Sequence, residues 1–371
     1  SMNDLMARMR PLERKTAPAS VPRPAARNAH WIKPELVAEV AYAETTGSLE
    51  EGGVLRHSSF LGLREDKLAT EVRPEIAQKL KPQASKVPDI SNAGRVIFPE
   101  SGLTKGDLAR YYAAMARPIL QYTANRPLSI VRCPQGRGKQ CFFQKHDAGT
   151  FGEAVHHIGI KEKDGVVADY LYVDSAEGLL ACVQMGGIEF HGWGACASNI
   201  EFPDRMIFDL DPDEGLDFEA VKKAAVILKQ ELATLGLASD AMLSGGKGIH
   251  VVIALDGKAD WEQVKDFASR FARAMAGAKP ELFTANIRKA ERKGRIFIDW
   301  LRNQRGATAV QPWTVRAREN APVAVPIEWE ELADITKAAE FNIRMLDQLV
   351  ERSRSKAMTK WGQNKQKLPS L

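Results

Sequence analysis

Hydrophobic and polar positions alternate most clearly in the second half of the chain. Arg205-Met-Ile-Phe-Asp-Leu-Asp-Pro212 is an apolar run ending in two acids one residue apart. With period two it predicts a strand whose C-terminal end carries Asp209 and Asp211 on one face, while Phe208 and Leu210 point into the core. Residues 217–236 have helical periodicity, with Phe218, Val221, Ala225 and Leu228 among the core positions. Residues 241–255 read as two strands flanking a glycine-rich turn, 261–276 as a helix, and 294–300 as a strand ending near Asp299. Residues 333–352 are expected to close the unit as a helix. Upstream, 91–99 predict a short strand, and Thr104 is the expected N-cap of a helix running to Thr123. Strands follow at 127–132 and 141–146, joined by the basic loop 134–139, then a strand at 168–173, a helix at 175–185 and a strand at 187–193 that carries His191. Phe142 and Phe143 are adjacent in a strand, so one is expected in the core and the other exposed or stacked on something flat, such as a base.

At 371 residues and 44% hydrophobic content the chain implies two units or more. No apolar run approaches membrane-spanning length and no signal peptide opens the sequence, so no membrane association is expected. Cys133, Cys141, Cys182 and Cys196 lack paired C-x-x-C spacing, which indicates neither a zinc module nor a disulfide framework and suits a reducing, cytoplasmic compartment. The net charge of +5 is concentrated at the ends: Arg8, Arg10, Arg14, Lys15, Arg23, Arg27 and Lys33 near the start, six Lys or Arg after residue 351. Such ends contact polyanions or simply face water. Residues 1–28 mix Pro, Ala and Arg without period, the composition of a disordered linker.

Two carboxylates side by side repel one another, so Asp209 and Asp211 suggest a divalent cation; an acid pair capping the helix at 217 is the alternative. A calcium loop is excluded, because its sixth position is Glu214 instead of Gly and its twelfth is Ala220. Ser244-Gly-Gly-Lys-Gly-Ile-His250 offers backbone amides, a hydroxyl and a charge to phosphate, or is a tight hairpin without ligand. It is not a Walker loop, since Lys247 is followed by Gly248 and a strand. Lys105 opposes the dipole at its helix N-terminus, which suits a docked anion or a lysine facing water. Asp299 adds a third acid, and residues 301–318 carry four arginines. Together these features suit two-metal phosphoryl transfer.

In order and spacing, Asp209-Leu-Asp-Pro212, Ser244–His250 and Ile298-Asp-Trp-Leu-Arg-Asn303 resemble the primase-polymerase domain of bacterial ligase D, in the archaeo-eukaryotic primase superfamily, over about residues 90–335. Residues 30–67, with Leu55-Arg-His-Ser-Ser-Phe-Leu-Gly-Leu-Arg-Glu-Asp-Lys67, resemble the last strands and final motif of the oligonucleotide-binding domain of ATP-dependent DNA ligases, a family that uses the Arg64 and Lys67 positions on ATP phosphates. The ligase nucleophile motif is not found upstream, so no ligation is expected of this chain. The resemblance implies an α+β, two-layer primase-like fold with central mixed sheets flanked by helices. The expected division is a disordered basic linker at 1–29, the ligase-like piece at 30–70, a linker at 71–92, the primase-polymerase domain at 93–355 and a basic tail at 356–371. It also implies roles by position. Asp209 and Asp211 bind two Mn2+ or Mg2+ ions, and Asp299 one of them. His191, Ser244, Lys247, His250, Arg302 and Arg316 hold a nucleoside triphosphate. Phe143 stacks under the templating base, and Arg95 and Lys105 grip a DNA 5'-phosphate. The expected function is template-directed filling of gaps and ends in bacterial non-homologous end joining, with ribonucleotides preferred, manganese favoured and no de novo priming. The expected setting is a monomer in the nucleoid-bearing cytoplasm, on gapped or broken DNA, beside a Ku-type end-binding protein. A DNA-end binding and synapsis module without chemistry is the alternative, and the three acids argue against it.

Overall fold

The computed structural model describes residues 6, 8–17, 29–41, 44–46, 54–56, 59–64, 69, 90–146, 149–162 and 164–369. The chain divides into two compact units, 1–84 and 85–371.

The first unit is built from short antiparallel pairs. β1 (Glu13–Arg14) pairs with β2 (Trp31–Ile32), β3 (Val37–Ala41) with β6 (Ser59–Arg64), and β4 (Glu44–Thr46) with β5 (Val54–Arg56). A 3-10 turn, Arg10–Leu12, leads into β1, and the Lys33 amide donates to the Leu12 carbonyl. The expectation of no structure over 1–28 is therefore corrected at residues 10–14, where backbone pairing supplies an order that the side chains do not announce. Lys67 and most of the expected linker, up to residue 89, lie outside the described residues.

The second unit opens with β7 (Val96–Phe98) and β8 (Leu103–Thr104), then α1 (Lys105–Ala114) and α2 (Ala116–Thr123). Thr104 caps α1 in a reciprocal box with Asp107, as its side-chain oxygen accepts from the Asp107 amide. The single helix expected to Thr123 is broken at the fully buried Met115, whose ψ of 8° ends one helix and starts the next. Next come β9 (Leu128–Arg132), β10 (Phe142–Gln144), β11 (His156–Lys161), β12 (Val167–Tyr172), α3 (Ala176–Gln184), β13 (Gly187–Trp193) and β14 (Arg205–Pro212). α4 (Phe218–Thr234), β15 (Asp240–Leu243), β16 (Ile249–Ala254), α5 (Trp261–Ala278), β17 (Phe283–Thr284), β18 (Ile296–Asp299), β19 (Thr308–Val310), β20 (Val325–Ile327), α6 (Leu346–Ser353) and α7 (Lys356–Lys360) complete it. One six-stranded sheet runs β11-β12-β9-β13-β19, with β10 added on β9; the other runs β17-β18-β14-β16-β15-β20. Only β17 and β18 pair in parallel among the described strands, so the second sheet is mixed.

β14 is central because its apolar residues are buried on both faces: Met206, Ile207, Phe208 and Leu210 are all core. The Phe208 ring packs against Phe271 of α5 at 5.1 Å between centroids, and α4 adds Val221, Ala225 and Leu228. Three further expectations are corrected. Residues 333–352 are not one helix, because the Phe341 carbonyl and the Ile343 amide bond to Val323 and Ala321, which leaves a 3-10 turn, Ile343–Met345, leading into α6. Neither phenylalanine of β10 is buried: Phe142 and Phe143 are 42% and 67% exposed on a three-residue strand outside the main sheet order. Cys133 and Cys141 form a disulfide, since the hairpin of β9 and β10 sets them opposite one another just beyond the Arg132–Phe142 pair, a placement that C-x-x-C spacing does not test.

Candidate active site

The register of the second sheet builds the site. Asp209 of β14 stands directly opposite His250 on β16 and Asp299 on β18. Cross-strand partners are close enough to interact side chain to side chain. Asp211, two residues on, shares the face of Asp209, and a carboxylate oxygen from each of the three acids lies within 4.8 Å of the others. The sequence placed Asp209 and Asp211 together; pairing with β18 brings in Asp299 from some ninety residues away.

Charge in this cluster is unevenly balanced. His250 Nε2 lies 3.3 Å from Asp209 Oδ1, and Arg302 Nε lies 3.0 Å from Asp299 Oδ2 and 3.6 Å from Asp209 Oδ2. Burial alone would raise the Asp209 pKa, but His250 and the arginines outweigh it and hold the carboxyl below its ordinary range. Asp211 has no such help within 4 Å except the guanidinium of Arg292 at 4.0 Å; burial and the charges of Asp209 and Asp299 push it up to about 6. Asp299 is likewise raised, chiefly by burial. Three acids with one guanidinium between them, two of them with raised pKa, form a hard-oxygen donor set. That set fits a divalent cation of the magnesium or manganese kind.

Beside the acids lies the turn between β15 and β16. Gly245 has φ +64°, and the buried Ser244 closes the turn on itself: its hydroxyl oxygen accepts from the amides of Gly246 and Gly248 at 3.3 and 3.2 Å. Lys247 is exposed at the tip, while Gly248 lies against β14, where a Cβ would stand 2.2 Å from the Leu210 carbonyl oxygen. From the first sheet, β13 contributes His191, which is buried by neighbours and lies edge-on to the Phe143 ring at 5.4 Å. Arg316 follows β19 and donates to the Ser244 carbonyl. A cavity of about 770 Å³ is lined by Asp209, Asp211, His191, Ser244, Lys247, His250, Arg302 and Arg316. All of the residues expected to hold a nucleotide converge here.

Arg95 and Lys105 line a separate cavity of about 200 Å³. The Lys105 ammonium donates to the carbonyls of Ser91 and Gln184 at 3.0 and 2.8 Å, and the Arg95 guanidinium to that of Pro134 at 2.8 Å. Burial and the nearby Arg95 charge lower the Lys105 pKa. Neutral carbonyls orient these two cations without cancelling their charge, which leaves it available to an anion.

Residues that the sequence reading did not single out also line the main cavity: Arg292, Lys289 and Arg318. Arg318 lies within the arginine-bearing stretch 301–318 and lines the cavity together with Arg316. Arg292 had no signal, because its place depends on a 3-10 turn, Lys289–Arg292, stacking it over Phe297 at 3.8 Å.

The second unit has the archaeo-eukaryotic primase fold. It matches the solved polymerase domain of ligase D from Mycobacterium tuberculosis in complex with DNA, at a TM-score of 0.68 and 27% identity, covering 75% of this chain and 98% of that one. Residues 104–357 match the family model of the LigD primase-polymerase domain, and the chain belongs to that family. Residues 1–67 match the C-terminal region of ATP-dependent DNA ligases. The multifunctional non-homologous end joining protein LigD of Pseudomonas aeruginosa is 37% identical over 370 residues, which cover 95% of this chain and 43% of that protein. The corresponding Mycobacterium tuberculosis repair protein is 32% identical over 253 residues, 66% of this chain and 33% of its own length. The chain thus spans less than half the length of these curated relatives. Among the described residues no helix is long and apolar enough to cross a membrane.

Proposed function

We propose that this chain is a template-directed nucleotidyltransferase that fills gaps and extends broken DNA ends in non-homologous end joining. The observation that carries the reading is the cavity in which Asp209 and Asp211, clustered with Asp299, face a Ser-Lys-His turn and the arginines 302 and 316. Asp209, Asp211 and Asp299 would hold two divalent cations, which lower the pKa of an attacking hydroxyl and neutralise a leaving pyrophosphate. The protein's own part is positioning. Lys247 and Arg316 would receive the triphosphate, with Arg302 beside the acids in the same cavity. Phe143, exposed beside His191, offers a face to the templating base. A pure binding module has no use for three clustered acids, two of them with raised pKa, so the non-catalytic alternative is disfavoured. The end-joining role of the relatives supports a Ku-type partner at the break.

Primer extension on a gapped duplex with manganese tests the reading: template-directed addition is expected, and its absence with both magnesium and manganese would refute it. With equal ribo- and deoxynucleotide concentrations, ribonucleotides are expected to be added faster, because a site that hydrogen-bonds a hydroxyl discriminates against substrates lacking it. Faster deoxynucleotide addition would remove the sugar preference from this account. The Arg95–Lys105 cavity is proposed to take the 5'-phosphate of the downstream strand. Each cation would contribute a charge-assisted hydrogen bond, so Arg95→Ala and Lys105→Ala should each weaken 5'-phosphorylated gapped DNA by about 1.5 to 3 kcal/mol. DNA with a 5'-hydroxyl should be nearly unaffected. Equal losses on both substrates would instead mean contacts spread over backbone phosphates.

A further inference from the structure

Glu189 plays no part in the chemistry above, yet its carboxylate lies where the two sheets meet at the nucleotide cavity. It stands two residues before His191 on β13, so both side chains leave the same face, and a register shift between Gly187 and Glu189 marks the strand there. The side chain is buried. Its Oε2 accepts from His191 Nε2 at 2.7 Å and from Arg316 Nε at 3.0 Å, and its Oε1 accepts from the Ala317 amide at 2.6 Å. Arg316 in turn donates through Nη1 to the Ser244 carbonyl. β13 belongs to one sheet and Ser244 directly follows β15 of the other, so Glu189, Arg316 and Ser244 form a polar chain across the seam.

A carboxylate beneath a site for a polyanion is unfavourable for binding unless it organises the cations that do bind. Burial would neutralise it, but His191 and Arg316 hold its pKa down at about 2 and keep it ionised. Its three bonds also fix which atoms face the cavity. Burial lowers the His191 pKa, and with its Nε2–H donated to Glu189 the neutral ring presents Nδ1 to the cavity as an acceptor, suited to a ligand hydroxyl rather than to phosphate. With Nε and Nη1 committed, Arg316 has Nη2. The Ala317 amide bond holds the backbone between Arg316 and Arg318, whose guanidinium also lines the cavity.

We propose that Glu189 is a positioning residue for the incoming nucleotide: it sets Arg316, and Arg318 through the Ala317 amide, to receive the triphosphate, and turns the acceptor nitrogen of His191 toward a ligand hydroxyl, before substrate arrives. The proposal rests on the polymerase reading and deepens it. Preorganised donors spend no free energy on reorganisation when charge arrives, and that advantage is lost if their support is removed.

The test compares Glu189→Ala and Glu189→Gln with wild type in two measurements, the nucleotide dependence of gap filling and equilibrium binding of magnesium-ATP without DNA. Glu189→Ala is expected to raise the nucleotide KM and weaken magnesium-ATP binding by about tenfold or more, with DNA affinity unchanged. Glu189→Gln keeps the shape and one acceptor oxygen, so it should recover part of the loss and carries the test if the alanine variant does not fold. Adding Arg316→Ala to either variant should cost little beyond Arg316→Ala alone, because the residues act as one unit. A fall in kcat with KM and magnesium-ATP binding unchanged, or multiplicative losses in the double variant, would overturn the proposal. A wild type that binds magnesium-ATP but never extends primers would sink the polymerase reading instead, and the binding arm would still decide the role of Glu189.

Discussion

Asp209→Asn is expected to reduce primer extension by about a thousandfold or more while leaving DNA affinity nearly intact, because a metal cluster supplies several kcal/mol of transition-state stabilisation and contacts no DNA groove. The same substitution weakens the pairing with His250 and Arg302 that holds the Asp209 carboxyl below its ordinary range, so some loss of stability should accompany it. Asp211→Asn sharpens the point through stability. Its carboxyl is raised to about 6 in the folded protein, above its unfolded value, by burial and by Asp209 and Asp299. The folded state therefore binds the proton more tightly than the unfolded chain, and metal-free stability falls as pH rises from about 4 through about 6. Asp211→Asn should flatten this slope and melt above metal-free wild type at pH 7.5, while the two converge at pH 4. Manganese should then raise the melting temperature of wild type and do little for the variant. Near-normal extension by Asp209→Asn, or equal manganese stabilisation of both proteins, would refute the metal assignment.

How much of this site could be read beforehand follows from how far each part depends on local pattern. Alternation alone placed Asp209 and Asp211 on one face and Phe208 and Leu210 in the core, because a strand's side-chain period is fixed. β13 was likewise legible at both ends, as its seven residues are all buried. What the pattern could not supply was register. Asp299 meets Asp209, and His250 faces it from the other side, only through cross-strand pairing between distant segments. β11 escaped notice since His156 and His157 interrupt its apolar alternation and only Ile160 of its six residues is buried. The closing helix failed because residues 341–343, inside the span expected as helix, give their backbone bonds to residues 321–323. Glu189 was within reach of the two-residue rule applied backwards from His191. A buried acid is not sought beneath a phosphate site.

Gly248→Ala is expected to damage the protein more than any other single added methyl in the turn. The new Cβ would stand 2.2 Å from the Leu210 carbonyl oxygen, which belongs to the backbone of β14 and cannot swing aside like a side chain. Either β16 must move away from β14 or the hairpin must reorganise, and overpacking of this kind costs roughly 3 kcal/mol or more. The consequence for chemistry follows from register: Leu210 pairs with Ile249 and Asp209 with His250, so the displaced strands are those that hold a metal-binding acid beside its histidine. The Ser244 hydroxyl would also lose the Gly248 amide that closes the turn. Gly246→Ala provides the contrast, because its nearest neighbours are the Arg318 guanidinium and the Ser244 hydroxyl at 3.4 Å, ordinary contact distance. Urea unfolding of both variants should therefore show a large loss for Gly248→Ala and a small one for Gly246→Ala, with extension following the same order. Equal stability of the two would mean that β14 and β16 tolerate separation at this point, and the turn would then owe its glycines to phosphate approach alone.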